Sequence, residues 1–169
     1  MNLMNSRTSE LVYPRAGILG VLALGFLVLH PGPLAAQTNA CALLKANDVA
    51  SLLGGTPTPT ATPEGQACTW IGANKERKLA VLTYKNRGVP GDAAFMGARK
   101  SAQADENAKV SDVTGIGDRA FSGQVSFGAV FVVLKQGRLL QLQYWTGSQG
   151  TTQDVAALRS VVQKAVTAF

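Results

Sequence analysis

Histidine is almost absent from this sequence. Its single example among the 169 residues is His30, which lies in an N-terminal segment with the pattern of a removable leader. Chemistry that depends on histidine, such as Ser-His-Asp or Cys-His activation of a nucleophile, is then excluded from the remaining chain. Zinc sites lose their commonest ligand by the same argument. We therefore assign no catalytic residue and no metal ligand from the sequence.

Patterns that bind phosphate or nucleic acid are also missing. The segment Gly115-Ile116-Gly117 has neither the third glycine of a dinucleotide-binding loop nor a following Lys-Ser/Thr pair, so no cofactor is predicted. The 16 Lys and Arg residues exceed the 10 Asp and Glu residues, but they are scattered and not interleaved with aromatic residues, so no nucleic-acid partner is expected. The excess is typical of a solvated surface, with attraction to an anionic envelope surface as the alternative.

An apolar run long enough to span a membrane is lacking too. The N-terminal run covers only residues 16–29, whereas roughly 20 residues are needed to cross a bilayer. Arg7 and Arg15 precede the run, and a Pro-Gly-Pro break and the small-residue segment Leu34-Ala35-Ala36 follow it. This order predicts a secretory signal peptide over residues 1–36. A membrane anchor is the alternative that the short run argues against.

Removal of the signal peptide would leave residues 37–169, a length typical of one domain. The formal net charge would fall from +6 to +5, because two arginines and one glutamate are lost. Cys41 would then lie close to the new N-terminus, where lipid-modified cysteines are found. Thr38 and Asn39 are polar at positions where a lipidation signal is apolar or small. We therefore predict a soluble periplasmic or secreted protein with neither a lipid anchor nor a transmembrane span.

Cysteine is scarce but paired in number. Cys41 and Cys68 are the only two, and an even count in an exported chain predicts a disulfide. Closing that loop would stabilise the fold by about 3.5 kcal/mol in the chain-entropy model. A redox-active pair is the alternative, although the chain has no Cys-x-x-Cys spacing.

Three segments have apolar residues at helical spacing. The predicted helices lie within residues 41–54, 93–104 and 152–168. In the first, Asn47 is the expected N-cap and Gly54 the expected end. In the last, Thr151 and Asp154 form a capping-box variant.

Other segments have the composition of strands. The predicted strands are residues 67–72 and 78–84, followed by consecutive antiparallel strands within 110–146 that include 125–134 and 138–145. Residues 125–134 are apolar on both faces, which predicts a central strand. The proline-rich residues 55–65 are expected to form a semi-rigid loop. Together these elements predict an α+β fold in which helices flank an antiparallel sheet.

A glycine turn precedes the most apolar strand. Gly115 and Gly117 allow positive φ, and Asp118 can accept hydrogen bonds from backbone N–H groups in the turn. We expect a structural role for this motif, and a lone carboxylate acid or base is the alternative.

Three large amphipathic side chains are candidates to line a binding groove. They are Trp70, Tyr144 and Trp145. Each combines a large apolar surface with a polar atom, as groove residues often do. Packing in the core is the alternative for each.

Two local patterns together resemble a known group of proteins. The first is Cys41-x-Leu-Leu, Asp48-Val, Leu-Leu-Gly54 and Cys68-x-Trp70; the second is Gly115-Ile-Gly117-Asp118-x-Ala120-Phe121. They resemble the small exported domains of unknown function in LpqN-type bacterial lipoproteins, which are similar in fold to the PsbP-like α-β-α sandwich. The resemblance implies a disulfide between Cys41 and Cys68 and implies no catalytic residues.

The sequence therefore favours a non-enzymatic exported domain that binds an envelope protein or a small amphiphilic ligand. One alternative is a hydrolase or transferase that uses a pair of carboxylates. The carboxylates available for such a pair are Asp105, Glu106, Asp112 and Asp118. The other alternative is a structural protein held at the envelope surface by its basic residues.

Overall fold

Within the described part of the chain, seven antiparallel strands form one sheet. The computed structural model describes residues 39–73, 75–84 and 89–169, so the predicted signal peptide lies outside the described residues. The strands are β1 (Thr58–Ala61), β2 (Ala67–Ile71), β3 (Lys78–Tyr84), β4 (Lys109–Val113), β5 (Arg119–Val125), β6 (Gly128–Lys135) and β7 (Arg138–Trp145). Their order across the sheet is β1-β2-β3-β7-β6-β5-β4. With the helices described next, this sheet confirms the α+β class.

The helices pack on the sheet from both sides. They are a short 3-10 helix (Ala40–Leu43), α1 (Ala46–Leu53), α2 (Gly91–Gln103) and α3 (Thr152–Ala168). The predicted capping box of α3 is confirmed, because Thr151 Oγ1 accepts from the N–H of Asp154 at 3.2 Å and Asp154 Oδ2 accepts from the N–H of Thr151 at 2.8 Å. In the described ranges, no helix is both long enough and apolar enough to cross a bilayer.

The first face of the sheet carries the larger core. Here α1, α3 and the 3-10 helix cover the inward side chains of the middle strands, among them Leu142 and Phe131, both fully buried. Side chains alternate along β7, and Leu140, Leu142 and Tyr144 are all buried on this face. The Tyr144 hydroxyl donates to the carbonyl of Leu52 at the end of α1, at 3.1 Å. Sheet and helix are thereby joined by a buried hydrogen bond.

The disulfide between Cys41 and Cys68 is present, which confirms the prediction. It joins the 3-10 helix to β2 on the first face, where Cys68 is fully buried. The backbone N–H of Ala40 also donates to the carbonyl of Gly65 at 2.8 Å. The N-terminal helical segment is therefore tied to the sheet by one covalent bond and one backbone hydrogen bond.

Among the described elements, α2 is the one that covers the second face. This helix follows β3 in the chain, leads to β4 at the edge of the sheet, and packs on β4, β5, β6 and β7. Its buried stripe contains Phe95, which meets Phe121 edge-to-face with ring centroids 5.3 Å apart. Ala98 and Ala102 continue that stripe. No helix of the described residues lies over β2 and β3 on this face.

Three local predictions are wrong. Residues 55–65 were expected to form a loop, but β1 forms within them and pairs with β2. The N-cap of α1 is Lys45, whose backbone N–H donates to Asp48 Oδ2 at 2.8 Å, and Asn47 lies inside the helix. Residues 125–134 are not one strand, because β5 ends at Val125 and a two-residue turn, Ser126-Phe127, leads into β6.

The turn at Ser126-Phe127 changes which way the side chains point. Val125 and Phe127 pack on the second face. Unbroken alternation of side chains along residues 125–134 would instead place them on the first face with Phe131. Val130 and Val132 face α2, as that alternation requires. β6 is an interior strand between β7 and β5, and nearly all of it is buried.

The two edge strands of the sheet are short. β1 is exposed along its whole length and contains Pro59, which lies opposite Trp70 of β2. β4 carries Lys109, which is exposed, and Asp112, which pairs with Arg99 of α2.

Candidate functional site

The uncovered part of the second face contains a groove of about 680 Å³, which we call the helix groove. It lies between α2 and the strands β3 and β7. Its described lining residues are Gln66, Tyr84, Val89, Ala94, Gly97, Ala98, Ser101, Ala102, Asp105, Val125, Phe127, Val130, Leu139, Gln141 and Gln143. The volume is within the range of small-molecule sites.

One side of the helix groove is apolar. Small residues of α2, such as Ala94 and Ala98, form its wall, and Val130 and Leu139 form its floor. Gly97 adds no side chain to this wall, and a Cβ placed on it would meet nothing within 4 Å. The small residues keep the helix surface low, so the groove stays open beside a well-packed stripe.

The other side of the helix groove is polar but uncharged. Gln141 and Gln143 project from β7 and are half-buried, and Gln66 lies nearby before β2. Among the described residues, none hydrogen-bonds the side-chain amides of Gln141 and Gln143, so both can donate to and accept from a bound molecule. Burial raises the pKa of the Tyr84 hydroxyl, which therefore remains protonated at neutral pH.

Asp105 is the one charged residue among the described lining residues, and it has a structural partner. Its Oδ2 accepts from the N–H of Ser126 at 2.9 Å and from the Ser126 hydroxyl at 2.5 Å. The hydrogen bond from the Ser126 side chain lowers the pKa of Asp105 below its usual value. Asp105 is thus ionised at neutral pH, holds the β5–β6 turn, and is not suited to act as a general acid.

A second groove of about 580 Å³ lies on the same face, and we call it the hairpin groove. Its described lining residues are Thr69, Glu76, Lys78, Ala80, Ser126, Phe127, Trp145 and Gly147. Phe127 borders both grooves and stacks on Trp145 with ring centroids 5.2 Å apart. This aromatic pair separates the two grooves.

Of the three aromatic groove candidates, only Trp145 lines a groove. Trp70 and Tyr144 are each 2% exposed and belong to the core of the first face. The prediction of a groove lined by all three is therefore wrong, because residues 144 and 145 are neighbours on a strand and point to opposite faces. Trp70 Nε1 is buried without a hydrogen-bond partner among the described residues.

The glycine turn motif has the predicted structural role with one difference in its partner. Gly115 and Gly117 have φ values of 77° and 62°, and a Cβ on Gly117 would lie 2.6 Å from the carbonyl oxygen of Leu134. Asp118 Oδ2 accepts from the N–H of Gln136 at 2.6 Å, in the β6–β7 turn rather than in its own. The motif therefore locks two adjacent turns together.

Three of the four candidate acid–base carboxylates have separate structural partners. Asp105 holds Ser126, and Asp118 holds the β6–β7 turn. Asp112 forms a bidentate ion pair with Arg99, and the hydrogen bond from that arginine lowers the pKa of Asp112. Within the described ranges, no group of three or more His, Cys, Asp or Glu residues is arranged to hold a metal ion.

Most residues of the helix groove were not predicted from the sequence. The sequence places Gln141 and Gln143 on the face of β7 opposite Leu140 and Leu142, but it assigns no function to them or to Tyr84. The signal was the Gln-x-Gln alternation opposite a stripe of leucines. It could be recognised as a groove only once α2 was known to leave this part of the sheet uncovered.

Comparison of the chain with protein-family models, with curated proteins and with solved structures finds no match.

Proposed function

We propose that this protein is a non-enzymatic exported domain that binds a small amphiphilic ligand in the helix groove. The observation that carries the proposal is the groove itself, which has an apolar wall and floor on one side and uncharged amides on the other. Sites for small molecules are typically concave and mostly apolar, with a few polar groups that orient the ligand. The concave shape favours a small ligand over a protein partner.

Export is the second part of the proposal. Residues 1–36 act as a signal peptide, and the domain 37–169 is released to the periplasm or the medium. The disulfide between Cys41 and Cys68 supports this, because disulfides persist in oxidising compartments. The resemblance to LpqN-type domains and to the PsbP-like sandwich agrees with an antiparallel sheet that has helices on both faces.

A binding role is also favoured by the positions of the carboxylates. A carboxylate-dependent hydrolase needs two of these groups opposed across a substrate. Asp105, Asp112 and Asp118 instead hold a turn, an arginine and a second turn. Each has a structural task that would be lost if it exchanged protons with a substrate.

The test is titration of residues 37–169 with N-phenyl-1-naphthylamine, an uncharged probe whose fluorescence rises in apolar sites. Gly97→Phe should reduce its affinity at least about tenfold, because the ring fills a position where a Cβ meets nothing within 4 Å. Helix stability should not fall, since glycine is a poor helix former.

The matched control is Gln103→Phe. It places the same ring on the same helix at an exposed position outside the described groove lining, so probe affinity should equal that of the parent protein. If Gly97→Phe binds the probe as tightly as the parent, or if the parent does not bind it, the groove is not the site.

A further inference from the structure

The polar groups of the helix groove are neutral hydrogen-bonding groups, and this restricts its ligand. Gln66, Gln141 and Gln143 are carboxamides, and Ser101 and Tyr84 are hydroxyls. Every one of them both donates and accepts hydrogen bonds. No lysine or arginine occurs among the described lining residues.

Gln141 and Gln143 are spaced to bind one head group together. They lie two residues apart on β7 and so project from the same face, with their Cα atoms about 7 Å apart. Val130 is the strand partner of Gln143 and lies between the two glutamines and the apolar wall that α2 forms. A ligand head group on β7 therefore places its apolar part against Ala94 and Ala98.

The one fixed charge of the lining disfavours an anion. Asp105 stays ionised because the Ser126 hydroxyl and N–H both donate to it. A carboxylate in the groove would meet this charge, and it would also have to lose water without gaining a cationic partner. An uncharged head group avoids both costs.

We propose, building on the proposed function, that the helix groove selects an uncharged amphiphile whose head group both donates and accepts hydrogen bonds, with Gln141 and Gln143 as the specificity-determining residues. The primary amide is the simplest head group of this class. Carboxylates with the same apolar chain are rejected.

The experiment compares decanamide, decanoate and decylammonium, which share a ten-carbon chain and differ in charge at pH 7.5. Each displaces N-phenyl-1-naphthylamine from residues 37–169, at concentrations below micelle formation. Decanamide should bind on the order of tenfold more tightly than decanoate, because the carboxylate can accept hydrogen bonds but not donate them, must lose more hydration and meets the charge of Asp105. It should also bind more tightly than decylammonium, which can donate but not accept.

Two variants test the role of the glutamines. Gln141→Leu/Gln143→Leu should still bind the probe, but should bind decanamide about tenfold more weakly than the parent does, since the amide loses its hydrogen bonds to both glutamines. Gln143→Lys should invert the preference towards decanoate. Both variants change half-buried side chains outside the two cores, so folding is preserved.

The outcomes separate this inference from the proposed function. If the parent binds the probe but binds decanoate as tightly as decanamide, the groove is a binding site and its proposed selectivity is wrong. If the double leucine variant keeps the parent's affinity for decanamide, the glutamines do not determine the selectivity. If neither the probe nor any of the three ligands binds, both proposals fall.

Discussion

Along β7, successive residues enter two different environments. Leu142 points to the first face and is fully buried beneath α1 and α3, whereas Gln143 points to the second face and borders the helix groove. In the described part of the chain, the first face is closed by three helical elements and a disulfide, whereas the second carries α2 only. Stabilising contacts are therefore concentrated on one face, and part of the other is left open.

Loss of the disulfide should have the largest effect. Replacing Cys41 and Cys68 together with alanine removes a cross-link between residues 27 apart in sequence, and should lower the free energy of unfolding by about 3.5 kcal/mol. Urea denaturation of residues 37–169 measures this. The same variant should bind N-phenyl-1-naphthylamine normally wherever it is folded, because the cross-link lies on the first face. If the folded variant loses probe binding, the groove on the second face depends on the disulfide on the first.

Neighbouring substitutions on β7 should differ sharply. Leu142→Ala leaves a cavity in the core of the first face and should cost about 3 kcal/mol. Gln143→Ala should change the free energy of unfolding by no more than about 0.5 kcal/mol, since this side chain has no hydrogen bond with the described residues. If urea denaturation shows that both variants lose the same free energy of unfolding, the groove side is as tightly packed as the core.

Tyr144→Phe should cost about 1 kcal/mol at neutral pH, because the Leu52 carbonyl loses its hydrogen bond from the hydroxyl. Burial raises the pKa of Tyr144 above its usual value of 10.0. The unfolded chain therefore ionises first, and the stabilisation by Tyr144 is complete below pH 10 and declines as the pH rises towards the folded-state pKa. Denaturation curves of the parent and the variant should accordingly converge above pH 10. A constant difference would mean that the hydroxyl is not desolvated.

The smallest effects separate two glycines of α2. Gly97→Ala should stabilise the protein by about 0.7 kcal/mol, because the methyl group meets nothing within 4 Å and alanine favours the helix. Gly91→Ala should destabilise it, since its Cβ would lie 2.5 Å from the carbonyl oxygen of Gly137. Thermal unfolding of the two variants measures the sign. A destabilised Gly97→Ala would show that the groove wall is closed rather than open.

Much of the covered face could be predicted from sequence because its signals are local. The capping box at Thr151, the end of α1 at Gly54 and the alternation of Leu140 and Leu142 each depend on residues a few positions apart. The two cysteines needed only their number and the predicted export.

The groove side could not be predicted in the same way. Its form depends on where α2 packs on the sheet, and those contacts join residues far apart in the sequence rather than one short motif. The turn at Ser126 was missed because its partner, Asp105, lies 21 residues away. Likewise, β1 was missed because threonine and proline form a strand there only when β2 lies beside them.

The exposed strand β1 ends the sheet in a way that matters when many copies of the chain are close together. A further molecule that tried to extend the sheet there would find no amide proton at Pro59, and the ladder could not continue. At the opposite end, it would have to bury the charges of Lys109 and Asp112. Both ends of the sheet thus discourage the molecules from polymerising into fibrils, although the interior strand β6 is apolar along most of its length.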